Sequence, residues 1–518
     1  MMRDDIDGAE YQSYLSTTTK EAGFTLFGRL FGLLVGFAMQ ALVARLLGAD
    51  LLGVFVLAWT IVMGIGLLTA FGFEGSFCKY IAMYVAQGRP DRAKAIHSYS
   101  VKFGLAASAV ATVALIAFRT PLAVSVFKEP RLEPALLVIS LSMVPYTLSR
   151  IYAAALRAVK DMKRSVLASE ISFRVSRLVL FVLLFLVGMR LQGIVVATVL
   201  AYGVSTLVGF LFLRRRAPYL VGRGPEGDVP RREFLLYSGS MLAETTTAFA
   251  LTQSGRLFLG FYLSATDVGV YNVVALLASL ATLFTMSFNG IFSPIIADVY
   301  HRGNHALVGS LLNVVTRWIV LLTLPVFAWL VVAGEPLLGL FGREFVVGYT
   351  AVVVLAVAEL FDSTSGSVSS CLAMTKYQRY NVYNIAAMAV VSVVLNALLI
   401  PRMDRMGPGM GLVGASAATA GAIVLVNMAR LIEGKALLGL VPFDRSTIKV
   451  AVTGTVLITM AVAARWTLDI PKEWYWVVAL LVICYAVTAG LTLLLGVSEE
   501  DRVVLASLMR KLGRAPRA

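Results

Sequence analysis

An all-α polytopic membrane protein of about 14 transmembrane helices, in two pseudo-symmetric six-helix lobes with a C-terminal helix pair, is the fold class this sequence predicts. Three observations lead there: a composition foreign to soluble chains, the spacing of the apolar runs, and a repeat across the two halves. Of 518 residues, 58% are hydrophobic and 14% charged, against roughly 45–50% and 25% in soluble domains. A bilayer crossing takes ~20 apolar residues, so roughly fourteen helices fit and no sizeable soluble domain does.

Apolar segments fall near 22–46, 51–73, 95–118, 135–156, 166–188 and 193–213, each long enough to span hydrocarbon as a helix. A break follows at 214–232, where RRRAPYLVGRGPEGDVPRR carries six arginines, three glycines and three prolines, the chemistry of a linker. Further segments lie near 234–262, 268–292, 308–333, 349–373, 381–400 and 411–431, and a last pair near 447–465 and 474–496. The chain therefore divides into 1–230, 231–440 and 441–518, the last with a basic tail.

The net charge of +15 would suggest nucleic acid in a soluble protein. Here it follows the rule that cytoplasmic loops collect lysine and arginine, and no nucleic-acid partner is expected. With the amino terminus inside, 27 lysines and arginines fall on the cytoplasmic side and nine opposite, so both termini are expected in the cytoplasm. The first twenty residues lack the short apolar core and cleavage site of a signal peptide.

The two six-segment groups share residues at a nearly constant offset. Ala49, Gly53, Val54 and Phe55 face Ala265, Gly269, Val270 and Tyr271; Leu156, Lys160 and Lys163 face Leu372, Lys376 and Arg379. GMRLQGIVVAT from Gly188 aligns with GMGLVGASAAT from Gly409. Such repeats build many transporters. An even number of helices per copy gives both the same orientation, hence an axis along the membrane normal and a cavity between the lobes.

A charge at mid-bilayer costs ~2.5–3.5 kcal/mol on insertion scales, so those present should face protein or water. Arg29 shares a helical face with Gly36 and Gln40 and reads either as a cavity cation or as a snorkelling anchor. Arg256 lies on a polar helix with Glu244, Thr245, Thr252 and Gln253. It reads as a cavity cation or as half of a structural ion pair. Lys102 and Arg317 are repeat-equivalent, at an offset of 215, and fit a two-sided anion clamp or two snorkelling side chains. Arg150 belongs with this cationic set. Glu359 and Asp362, three residues apart on one face, fit with Glu244 an ion-coupling role for H+ or Na+, or salt bridges to the cavity arginines.

Five such cations against three acids favour an anionic cargo. Cys78, Cys371 and Cys484 offer no disulfide or metal spacing. The histidines fall at predicted helix ends, and no phosphate-binding Gly-Lys-Ser/Thr run exists. No metal, catalytic residue or resident cofactor is expected.

ARLLGADLLGVFVLAWTIV from Ala44, GFEGSFCKYIAMYVAQGR from Gly72, SPIIADVYHRGN from Ser293 and NALLIPRMDRMGPGMGLVGASAAT from Asn396 resemble the polysaccharide flippases of the multidrug/oligosaccharidyl-lipid/polysaccharide exporter (MOP) superfamily. The resemblance covers about residues 20 to 430. It implies two six-helix lobes with alternating access, moving a polyprenyl-pyrophosphate-linked oligosaccharide from the cytoplasmic to the outer leaflet of a bacterial inner or archaeal plasma membrane. It also implies glycosyltransferase or polymerase partners and a monomer in membrane lipid. Similarity to the lipid II flippases is weaker, since Ala49 to Leu57 replace their acidic-aromatic segment. The alternatives are a cation-coupled multidrug exporter of the same superfamily, for which acidic residues should outnumber basic ones, and a membrane glycan-processing enzyme. An enzyme would be expected to need a substantial external loop for its acid/base groups, and the loops here are short.

Overall fold

The computed structural model describes residues 8–222, 227–365, 367–467 and 473–496; the side chains of residues 8–34, 291, 294 and 445 lie outside the described ones. Among the described residues the secondary structure is helical throughout, with no strand. Contacts divide the chain into two compact units, Met1–Phe249 with Ser264–Gly269, and Ala250–Leu263 with Val270–Ala518.

The first unit begins with α1 (Gly8–Ala70), which is two helices fused across Gly48, whose φ of 75° and ψ of 170° are not helical. This break separates the first two apolar segments. It is followed by α2 (Phe73–Ala86), α3 (Pro90–Thr120), α4 (Leu132–Ser140) and α5 (Met143–Ala158). Proline opens α3, where a missing N–H costs nothing. The α4–α5 pair is bent by 45°. Then come α6 (Met162–Val166), capped by the Asp161 carboxylate on the Arg164 N–H, a π-helical turn at Leu167–Ile171, α7 (Ser172–Leu186), α8 (Leu191–Arg216), α9 (Pro218–Val221) and the start of α10 (Arg231–Tyr262).

An aromatic core fastens α10 to α2. Phe73 stacks on Phe234 at 5.6 Å, the Tyr80 hydroxyl donates to Glu233 at 2.8 Å, and Ser76 bonds Ser238 at 2.7 Å.

The second unit carries the end of α10, most of α11 (Ala265–Ala278), then α12 (Leu283–His301), α13 (His305–Gly339), α14 (Tyr349–Ser365), α15 (Val368–Ala373), α16 (Gln378–Asp404), α17 (Met410–Leu438), α18 (Arg445–Thr467) and α19 (Trp474–Leu494). The terminal pair is tied in through side chains that would otherwise strand polar atoms in hydrocarbon: Trp329 Nε1 donates to the Val477 carbonyl at 2.7 Å and the Tyr485 hydroxyl to that of Leu322 at 3.1 Å.

Ten helices, or eleven if the bent pair counts as one span, are long and apolar enough to cross a membrane among the described residues. Three segments read from the sequence fall outside that count. One leg of α1 merges with the other across Gly48, α7 has only 15 residues, and α10 is diluted by threonines, Glu244 and Arg256.

The repeated glycines have a steric basis. Gly188 and Gly409, equivalent in the repeat, both take positive φ (92° and 76°), a conformation glycine adopts without penalty. Gly53 and Gly269, equivalent at offset 216, meet each other within the first unit. A Cβ on Gly53 would strike the Ala265 carbonyl, and one on Gly269 the Ala49 carbonyl. The two small-xxx-small pairs thus cross backbone to backbone, as small residues allow in membranes. A side chain there cannot be accommodated by a rotamer change, since the obstacle is main chain. Gly53→Val should cost at least about 3 kcal/mol, the upper end of overpacking penalties. Thermal unfolding in detergent should show a large drop for this variant, whereas Gly203→Ala, with open space around its position, should stay near the parent.

Candidate functional site

Charged side chains on the membrane-spanning helices are the functional candidates, and each unit assembles its own set. In the first unit, Tyr146, Arg150 and Arg157 share one face of α5 at spacings of four and seven. Opposite them, α2 starts after Gly72, whose φ of +67° turns the chain. Glu74 then lies in the first turn of α2, where the helix dipole favours an anion. Its carboxylate pairs with Arg150 and, at 3.3 Å, with Arg157. Arg150 also lies over the Tyr146 ring, 5.4 Å from its centre. A cavity of about 220 Å³ is lined by Glu74, Arg150, Met241, Glu244 and Thr245 among others. Arg150 and Glu244, named from the sequence, therefore meet at one cavity, and Glu74 is the partner that sequence reasoning missed. Lys102 is exposed on α3. The side chain of Arg29 lies outside the described ones.

In the second unit, α10 presents Arg256 one turn after Thr252 and Gln253. Its Nε donates to Asn272 Oδ1 at 3.1 Å, and its Nη1 to Gln253 Oε1 at 2.5 Å and the Thr252 carbonyl at 3.2 Å. Among the described residues these partners are all neutral oxygens. Tyr271, one residue before Asn272 and bonded to Thr419 at 3.3 Å, feels the charges of both Arg256 and Glu359.

Asp362 is engaged one helical turn further along α14. Asn427 Nδ2 donates to it at 2.7 Å, while Asn427 Oδ1 accepts from Ser365 and from Arg430, each at 3.1 Å. Asn427 and Arg430, three residues apart on α17, went unnoticed because the sequence places Arg430 with the loop cations. It is in fact 8% exposed. An asparagine and an arginine on one face near the end of an apolar run were the available signal.

Arg317 is 2% exposed and bonds Asp444 at 2.7 Å, holding α13 to the turn that opens α18. Arg317 borders an apolar cavity of about 430 Å³ together with Leu324, Phe443, Thr447 and Gly454 among others. Burial pushes the Asp444 carboxyl up, but hydrogen bonds from Thr447 and the Arg317 guanidinium outweigh it and hold the group below the usual carboxylate range.

Long apolar helices bearing buried, partnered charges define a class, the multi-pass membrane protein, and comparison narrows it. The fold resembles a lipid II flippase, MurJ, in an inward-closed conformation (TM-score 0.71, 12% identity, 90% of this chain and 97% of that one). It also resembles a multidrug resistance MATE family transporter of the MOP superfamily in an inward-facing conformation (0.65, 14%, 79% and 94%), and the MATE transporter VcmN of Vibrio cholerae (0.57, 14%, 82% and 98%). At these identities the likeness is one of fold, and the fold is that of the MOP flippases and exporters. No curated protein matches the chain in sequence. The polysaccharide biosynthesis protein family matches residues 42–347, more than half of the chain, and the chain belongs to it. The fold is one that those transporters share.

The Arg317–Asp444 pair yields a stability test. Asp444→Ala takes the carboxylate from a buried guanidinium, at a cost of about 2–4 kcal/mol, reduced from the fully buried value by the partial exposure of Asp444. Because the native carboxyl titrates below its unfolded value, its contribution is complete above the usual carboxylate range and is lost as pH falls through the lowered native value. Thermal midpoints recorded from neutral pH downward should show the Asp444→Ala deficit constant to about pH 5 and shrinking only in stronger acid.

Proposed function

We propose that the chain is an alternating-access flippase that carries a polyprenyl-pyrophosphate-linked oligosaccharide from the cytoplasmic to the outer leaflet of the plasma membrane for cell-surface polysaccharide synthesis. In this reading it crosses the membrane fourteen times with both termini in the cytoplasm. The observation that carries it is Arg256, a guanidinium on α10 whose hydrogen-bond partners among the described residues are all neutral oxygens. Amide and carbonyl oxygens orient a cation but leave its charge uncompensated, and a cation so placed favours an anion. A pyrophosphate supplies that anion with geometry suited to the guanidinium fork.

The physical task follows from the cargo. Phosphate and sugars cannot enter hydrocarbon, whereas a polyprenyl tail can remain in lipid while the protein shelters the head. Arg256 would exchange its contacts with Gln253 and Asn272 for phosphate oxygens and recover them on release. Arg29, Lys102, Arg150 and Arg317 complete the proposed cationic set, and Glu244, Glu359 and Asp362 the proposed ion-coupling set. Tyr271, between Arg256 and Glu359 in its electrostatics, would let occupancy at the cation bear on the acid.

Arg256→Gln should lower glycolipid translocation in reconstituted vesicles by about 10- to 150-fold, the worth of a charge-assisted hydrogen bond at 1.5–3 kcal/mol. Arg256→Lys, which keeps the charge but loses the fork, should fall between. Translocation at the parent rate by Arg256→Gln in correctly inserted protein would refute the anion-binding role.

A further inference from the structure

We propose that Arg430 is a resident counter-cation for the acidic turn of α14, seated through Asn427, so that Asp362 takes no alkali metal ion from solution. The idea goes beyond the transport reading to the ion selectivity of the second unit. It needs only the geometry of that unit.

Asn427 has no exposed surface, and both ends of its amide are used. Its Nδ2 donates to Asp362 Oδ1 at 2.7 Å; its Oδ1 accepts from Arg430 Nη1 and from the Ser365 hydroxyl, both at 3.1 Å. This pattern fixes the amide. Turned over, it would set its carbonyl against the Asp362 carboxylate and its NH2 against the guanidinium. The amide dipole therefore runs from cation to anion and couples the two charges across one buried side chain.

Arg430 is itself more than nine-tenths buried, and its Nε has no hydrogen-bond partner among the described residues. A guanidinium does not stay buried on one hydrogen bond to an amide unless carboxylates compensate it. Asp362 and Glu433 are the two that act on it, and Glu433 is engaged by Asn384 Nδ2 at 2.6 Å. Glu359, the remaining acid of this turn, lies three residues before Asp362 on α14.

The same oxygens would make an alkali-ion site without the arginine. A carboxylate, an amide carbonyl and a hydroxyl are the hard oxygen donors that such cations take, and Asp362, Asn427 and Ser365 supply one each. With Arg430 in place, Asn427 turns its NH2 to Asp362 and spends its oxygen on the guanidinium. The site is then filled by a cation that cannot leave.

The test reads ion binding rather than transport, so its failure and the failure of the flippase reading are separable. Thermal unfolding of the purified full chain in detergent is compared in sodium chloride and in choline chloride at equal ionic strength. The parent should melt at the same temperature in both salts. Arg430→Gln should gain a saturable, sodium-dependent rise that is lost when Asp362→Asn is added, and Arg430→Lys should behave as the parent. A sodium-specific rise in the parent that Asp362→Asn removes would overturn the proposal, as would a folded Arg430→Gln with no sodium response. Should Arg430→Gln not fold, the parent and Asp362→Asn decide: equal midpoints in the two salts uphold it, and an Asp362-dependent sodium shift refutes it.

Discussion

Hydrocarbon does not solvate charge, so every ionised group carried on a membrane-spanning helix must be met by the protein or by something the protein admits. The two units meet that constraint in graded ways. Arg150 is answered by Glu74 and lies over the Tyr146 ring. Arg317 is answered by Asp444. Arg430 reaches its carboxylate through the Asn427 amide. Arg256 is held by amide and carbonyl oxygens. A fully paired arginine is fixed in place by its pairing, and a ligand must break that pair to use it. An arginine positioned by neutral groups is oriented at little electrostatic cost and keeps its attraction for an anion.

Steric economy is the second determinant. Glycine recurs where helices must approach until main chain touches main chain, and the reciprocal contact of Gly53 with Ala265 and of Gly269 with Ala49 is the tightest case. Without side chains between them, carbonyls and N–H groups of two helices come within van der Waals range, and dispersion replaces a hydrophobic effect that lipid does not provide. The recurrence of small residues at these positions therefore meets a packing requirement. Equivalent positions stay small because they meet one another, and Gly188 and Gly409 suit positive φ, the first just past the end of α7 and the second at the start of α17.

Membership of a polysaccharide biosynthesis family and a MOP fold supply scaffold and class, but chemistry resides in individual side chains. The same scaffold supports lipid flippases and drug exporters. What separates an anionic from a cationic cargo is the sign of the groups left uncompensated. In the second unit the cation of α10 is positioned by neutral oxygens, while Asp362 of α14 is engaged by the Asn427 amide.

Fold class was legible in the sequence because hydrophobic length is a property of composition alone: a run of about twenty apolar residues needs no partner to declare itself. The break between the first two segments and the polar character of α10 were equally local, whereas the bend between α4 and α5 falls inside what the sequence reads as one segment, 135–156. The charged residues were legible as exceptions to that apolar background, which is how Arg150, Arg256, Arg317, Glu359 and Asp362 stand out. Their states were not. Whether a cation is paired depends on residues from distant parts of the chain, Glu74 for Arg150, Asp444 for Arg317 and Asn427 for Asp362, and no periodicity encodes that distance. Arg430 shows this best: from its position near the end of an apolar run it looks like a loop cation, and only the packing of α17 on α14 takes it out of solvent and into an ionic network. Hydrophobicity is additive along a chain and can be read from it; electrostatic compensation is pairwise in space, and folding alone settles the pairs.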